Sequence, residues 1–182
     1  QIHQEADRLV ALINDILRLS QLDEGGALPH EQVSVLELAQ EAARSLTAQA
    51  AAQAVHISVT GTAGTVFGVR RLLYEIARNL CENAVKYNVP GGSVTVEVAE
   101  TDRDVALLVR DTGIGIPEGD QSRVFERFYR VDKSHSRAIG GTGLGLSIVK
   151  HAVAYHHGTL RLESQLGKGT VITVTLPKKP TE

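Results

Sequence analysis

The spacing of apolar residues divides the chain into helices and strands before any chemistry is considered. Leu9, Leu12, Ile16 and Leu19 recur at intervals of three and four, with Ile13 and Leu17 beside them, which predicts one amphipathic helix over 1–24. Asp7, Arg8, Asn14, Asp15 and Arg18 fill much of the remaining surface. The stripe has the form of a coiled-coil or bundle seam, and no obvious partner helix follows it in the chain. "DEGGALPHEQ" (23–32) breaks the pattern with glycine and proline, and residues 25–32 read as a linker.

An alanine-rich helix is expected over 35–53, an alternating strand at 54–61 and a short strand or turn at 64–68. A helix over 69–87 ends in the turn residues "NVPGGS" (88–93). Strands at 93–100 and 104–111 form one hairpin, and strands at 158–164 and 169–177 form a second. Between the hairpins lie a glycine-rich turn (112–117), a short helix (119–130), a loop (131–143) and a helix (144–157). Helices mixed with antiparallel hairpins favour an α+β two-layer sandwich, preceded by one long helix, over a doubly wound parallel sheet.

Composition narrows the picture little. The 182 residues are 42% hydrophobic and 22% charged, as in ordinary globular domains. A net charge of −2 gives no reason to expect nucleic-acid or electrostatic membrane binding. The single cysteine, Cys81, excludes an intrachain disulfide and fits a packing role in a reducing compartment. No apolar run reaches membrane-spanning length. The chain starts at Gln1 and has no methionine, so it is read as a fragment of a longer protein.

The helix over 69–87 poses the chemical question. At about 100° per residue, Asn79, Asn83, Lys86 and Tyr87 share one face, beside an apolar face of Leu73, Ile76, Ala77, Leu80 and Ala84. Arg71, Glu75, Arg78 and Glu82 are expected to point away toward solvent. Asparagine is a mediocre helix former. Four polar groups aligned at the edge of a core favour a ligand cleft over a merely solvated flank. Amide oxygens suit a hard cation such as Mg²⁺, and lysine suits phosphate.

Two glycine motifs and an aromatic cluster add to this. In "DTGIGIP", Asp111 ends an apolar strand, and Gly113 and Gly115 allow a tight turn or close approach to a ligand. An ionised aspartate there could accept a hydrogen bond from an exocyclic amine such as that of adenine. In "GGTGLGLSIV", Gly141, Gly143 and Gly145 alternate and then open a helix, a place suited to phosphate. The spacing is neither that of a dinucleotide-binding strand–helix turn nor that of a Walker loop. "FERFYR" gathers Phe125, Phe128 and Tyr129 from a total of three Phe and four Tyr. It reads as the anchor of a closing loop, with Arg127, Arg130, Lys133 and Arg137 supplying cations. His156 and His157 are expected only to complement a helix C-terminus, and His3, His30 and His56 show no metal spacing.

In this order the motifs resemble the catalytic and ATP-binding domain of sensor histidine kinases of two-component systems. "NLCENAVKYN" is similar to the family's N box, "DTGIGIP" to its G1 box, "FERFYR" to its F box and "GGTGLGL" to its G2 box. The resemblance covers about 33–177, within a catalytic domain taken as 33–182. Residues 1–24 resemble the second helix of the dimerisation and phosphotransfer hairpin. "FYRVDKSHSR" and "GLSIVKHAV" are most similar to phosphate-regulon sensor kinases.

The resemblance implies a Bergerat (GHKL) ATP-binding fold with ATP under a lid at about 119–142. It implies Asn83 as the Mg²⁺ ligand, Asn79 as support for the phosphate site, and Lys86 and Tyr87 as contacts to phosphate or nucleoside. It implies Asp111 at the adenine amine, Gly113, Gly115, Gly141, Thr142, Gly143, Leu144 and Gly145 shaping the pocket and lid ends, and Arg130 at the γ-phosphate. Catalytic roles would fall to Arg130, Lys86 and Asn79. It further implies a homodimer through the hairpin, a response-regulator receiver domain as partner, and a place on the cytoplasmic side of a membrane-anchored parent.

One element of the family pattern is missing. The phosphoaccepting H box, His-Glu/Asp-x-Arg-x-Pro, occurs nowhere in the sequence. The chain is therefore expected to bind ATP without phosphorylating itself. Two alternatives stand beside this reading. One is an ATPase of the gyrase or Hsp90 kind, in which a glutamate would stand where Asn79 does. The other is a docking or dimerising module that binds no nucleotide.

Overall fold

The computed structural model describes residues 2–23, 28–131 and 141–179. Helix α1 (Ile2–Asp23) is followed by β1 (Glu31–Ser34), α2 (Val35–Ser45), α3 (Thr47–Ala52), β2 (His56–Gly61), β3 (Thr65–Gly68) and α4 (Arg70–Lys86). Then come β4 (Ser93–Glu100), β5 (Asp104–Asp111), a 3₁₀ turn at Glu118–Asp120, α5 (Gly145–Tyr155), β6 (Thr159–Gln165) and β7 (Gly169–Pro177). Five strands form a mixed sheet in the order β2-β4-β5-β7-β6, parallel only between β2 and β4. β1 and β3 make a separate antiparallel pair.

Alternation along the strands decides which sheet face is covered. Val94, Val96 and Val98 of β4, Val105, Leu107 and Val109 of β5, and Ile172, Val174 and Leu176 of β7 are all buried, as a two-residue side-chain period requires. Against them pack Leu38, Ala39 and Ala42 of α2, Leu73, Ile76 and Leu80 of α4, and Val149, Ala152 and Val153 of α5. Intervening residues such as Thr95, Glu97 and Arg110 face the open side. The result is the expected two-layer sandwich. Cys81 lies fully inside it, where burial pushes the thiol up to about 12, so it acts as an inert packing group.

Several local expectations are corrected. The helix expected over 35–53 is two helices that meet at Leu46, whose N–H turns back to Ala43 O. Strand β1 begins at Glu31, inside the stretch read as linker, because its backbone finds β3 as a partner. The short helix expected over 119–130 is only the 3₁₀ turn and a chain of irregular turns. Phe128 lies at φ +63°, which a right-handed helix excludes. His156 does not serve as a charged helix terminus. It is buried, its Nε2 accepts the Val69 N–H at 3.0 Å, and burial lowers its pKa, so the ring is neutral.

Helix α1 finds a limited partner after all. Leu12 packs on Leu144 and Ile148 of α5. Leu9, Val10, Ile13, Ile16 and Leu17 stay 44–57% exposed, a continuous apolar surface of the kind that marks an interface.

Candidate functional site

A cleft of about 440 Å³ opens between α4, the end of β5, the segments flanking residues 132–140, and α1. Helix α4 supplies one wall. Its apolar face is drawn into the sandwich, which leaves Asn79, Asn83, Lys86 and Tyr87 along the cleft. Asn79 is buried to 7% exposure, and its Nδ2 donates to the Glu75 carbonyl at 2.8 Å and the Glu75 carboxylate at 3.2 Å. Glu75 is therefore turned toward Asn79 rather than to solvent. Arg78 and Glu82, also expected to face solvent, pair at 3.5 Å and border the cleft.

Asp111 closes the other end. It is the last residue of β5, in register with Val94 on one side and Thr170 on the other. One carboxylate oxygen, Oδ1, accepts the Gly113 N–H at 2.8 Å and the Thr170 N–H at 3.2 Å. Burial raises the Asp111 pKa despite those two bonds. The surroundings are apolar: Val109, Ile114, Ile116 and Ile172 line this end. A flat heteroaromatic ring with one amine donor fits such a place.

The glycines set how closely backbone and side chains approach. Gly115 has φ +70°, and a Cβ there would fall 2.2 Å from Gln165 O. Gly143 has φ +77° against the Phe128 backbone, whose N–H donates to Gly143 O at 3.0 Å. A Cβ on Gly141 would stand 3.1 Å from both Lys86 Nζ and Tyr87 Oη. One on Gly145 would stand 3.1 Å from Asn79 Oδ1 and 3.9 Å from Asn83 Oδ1. The two amide oxygens thus converge on one point at the start of α5. Burial lowers the Lys86 pKa, opposed by Glu82 and reinforced by Arg130.

Most of the expected site residues meet here: Asn79, Asn83, Lys86, Tyr87, Asp111, Gly115, Arg130, Gly141, Thr142, Gly143 and Gly145 all border the cleft. Gly113 and Leu144 do not. Gly113 packs beneath Tyr87, where a Cβ would fall 2.3 Å from Tyr87 O, and contributes its N–H to Asp111. Leu144 is fully buried and holds α1 through Leu12. Lys133, Arg137 and the rest of 132–140 in the expected lid lie outside the described residues. The aromatic anchor is altered as well, since Phe128 is 55% exposed and Val124 is the buried residue. Tyr129 Oη donates to Asp120, and the Arg123 guanidinium lies 4.3 Å from the centre of the Tyr129 ring.

Sequence reasoning missed Thr170 and the α1 contribution. Thr170 follows "GKG" on β7 and meets Asp111 only through sheet register. Asn14 and Asp15 of α1 border the cleft, and Asp15 Oδ2 accepts from Thr142 Oγ1 at 2.8 Å. No local signal in either segment announces that meeting.

These residues fit a nucleoside polyphosphate with a divalent cation. Two amide oxygens reach one point, a lysine and an arginine stand near it, and an aspartate oxygen waits at the far, apolar end. Among the described residues no group of three or more His, Cys, Asp or Glu could hold a metal alone. A cation here would need the ligand's own oxygens, which is how Mg²⁺ usually binds.

The family described as "Histidine kinase-, DNA gyrase B-, and HSP90-like ATPase" matches residues 68–180. A sensor-like histidine kinase, SenX3 of Mycolicibacterium smegmatis, is 42% identical over 97% of the chain, which spans 46% of that protein. The sensor histidine kinase WalK of Bacillus subtilis is 35% identical over 96% of the chain, which spans 29% of it. The chain thus spans less than half the length of these relatives. Among solved structures, the mycobacterial sensor histidine kinase MprB superposes with a TM-score of 0.72 at 32% identity, over 84% of this chain and all of that one. Full-length ShkA in complex with AMPPNP gives 0.83 at 26% identity, over 97% of this chain and 37% of that one. The chain therefore belongs to the histidine kinase-, gyrase B- and Hsp90-like ATPase family, as the ATP-binding domain of a sensor histidine kinase.

Proposed function

We propose that this chain binds Mg-ATP and presents its γ-phosphoryl group to a histidine carried on a dimerisation and phosphotransfer hairpin, from which it passes to an aspartate of a response-regulator receiver domain. The observation that carries this reading is the convergence of Asn79, Asn83 and Lys86 of α4, Tyr87 at its end, Asp111 of β5 and two glycine turns on one cleft. The free Asp111 oxygen accepts the adenine amine. Asn83, with Asn79 beside it, supplies amide oxygens to Mg²⁺, which when bound would neutralise phosphate charge. Lys86 and Arg130 offset the remaining negative charge, and Tyr87 contacts phosphate or nucleoside. Positioning and charge stabilisation carry most of such a transfer.

Asn79 argues against hydrolysis as the main reaction, because an amide cannot take a proton from water at neutral pH. The exposed stripe of α1 supports a seat against a second copy in a helical bundle. Among the described residues no helix is long and apolar enough to cross a membrane; we place the domain on the cytoplasmic side of a membrane-anchored parent.

Calorimetric titration tests the reading directly. Saturable binding of Mg-ATP and Mg-ADP is expected, with no phosphohistidine formed by the chain alone. Absence of binding at millimolar nucleotide would leave a docking scaffold. Turnover on the order of 1 s⁻¹, ordinary for enzymes, would favour an ATPase. Supplied with a hairpin that carries the phosphoacceptor histidine, the domain should transfer label from the γ-phosphoryl group to it.

A further inference from the structure

Glu75 lies four residues before Asn79 on α4, and its carboxylate and backbone carbonyl both accept from Asn79 Nδ2, at 3.2 and 2.8 Å. A primary amide nitrogen carries two hydrogens. A backbone carbonyl can only accept, so it fixes which end of the amide is nitrogen, and the carboxylate holds that same nitrogen from a second side. Asn79 Oδ1 is then the end left facing the start of α5, 3.1 Å from the Cβ position of Gly145. Glu75 does not border the cleft. It would meet a ligand only through Asn79.

We propose that Glu75 is a positioning residue for the nucleotide site, locking the Asn79 amide with its oxygen toward the metal and phosphate end. The proposal rests on reading the cleft as an ATP site. Without the carboxylate the amide is held by the Glu75 carbonyl alone, and it is freer to rotate about its Cβ–Cγ bond. Asn79 Oδ1 is then less firmly aimed at the metal and phosphate end.

The test compares Mg-ATP and adenosine affinities by calorimetry. Glu75→Ala should weaken Mg-ATP binding about fivefold to tenfold, the scale of one lost charge-assisted hydrogen bond, and leave adenosine affinity unchanged. Glu75→Gln keeps an acceptor oxygen at the same reach and should restore affinity to within about twofold. In an Asn79→Ala background, Glu75→Ala should add nothing. The proposal is overturned by unchanged Mg-ATP affinity in Glu75→Ala, by an equal penalty with and without Asn79, or by a Gln variant no better than Ala. Should Glu75→Ala not fold, Glu75→Asp replaces it, since that carboxylate is one methylene short. If the unaltered chain binds no Mg-ATP, both the functional reading and this role fall. If it binds and Glu75→Ala matches it, only the role of Glu75 falls.

Discussion

The two ends of the cleft are built by different means. At the apolar end, Asp111 is fixed by its place in the sheet, with Val94 and Thr170 as neighbours in register and two backbone N–H groups on one oxygen. At the polar end, the groups are side chains of one helix, completed by Gly141, Gly145 and Arg130 from remote segments. Strand register organises the first end through the main chain. The second depends on side-chain contacts, such as Glu75 with Asn79 and Thr142 with Asp15. Single substitutions should therefore disable the first end and only degrade the second.

The largest effect is expected from Asp111→Asn. The new amide nitrogen would face the ligand's amine, donor against donor, and binding of ATP, ADP and adenosine alike should fall about a hundredfold. The ligand-free domain should melt no lower than the unaltered one. A carboxyl whose pKa is raised in the folded state contributes stability that is full below its ordinary value of 3.8 and is lost as pH rises through the raised value. At neutral pH the buried charge is a cost, and asparagine removes it. Loss of ATP binding with adenosine affinity intact would show that Asp111 does not belong to the adenine end.

Asn83→Ala comes next, with about tenfold weaker Mg-ATP binding and adenosine affinity unchanged. Equal losses for both ligands would erase the distinction between the ends. Gly145→Ala sets a Cβ 3.1 Å from Asn79 Oδ1, tight enough to push that oxygen by a few tenths of an ångström. A loss of about threefold for Mg-ATP, with unchanged thermal stability, is expected. The smallest effect is on pH dependence. Lys86, its pKa lowered chiefly by burial, loses charge as pH rises, so Mg-ATP affinity should decline below the usual lysine range. Adenosine affinity should show no such alkaline decline, because its binding does not use Lys86. A matching alkaline decline for adenosine would separate that titration from Lys86.

Much of the sandwich was legible because alternation and helical spacing are local patterns. The β4–β5 and β6–β7 hairpins and the polar stripe of α4 follow from residues close together in the chain. The pairing of β1 with β3 was not legible, because four residues of weak pattern become a strand only when a partner backbone accepts their hydrogen bonds. Nor was the turn of Glu75, which helical periodicity assigns to solvent and an amide neighbour draws inward. "FERFYR" misled for a related reason. Its spacing suits a short helix, yet Phe128 takes a positive φ where its N–H meets Gly143 O, fifteen residues later.

By itself the sequence determined the helices and hairpins from which the two-layer sandwich is built, the polar face of α4 and the glycine turns, since each follows from residues close together in the chain. Tertiary structure alone decided that Thr170 N–H shares Asp111 with Gly113 N–H, that Leu144 is a packing residue, and that Asp15 reaches Thr142. Those contacts join residues far apart in the chain. Their geometry follows from sheet register and helix docking, which no local pattern encodes.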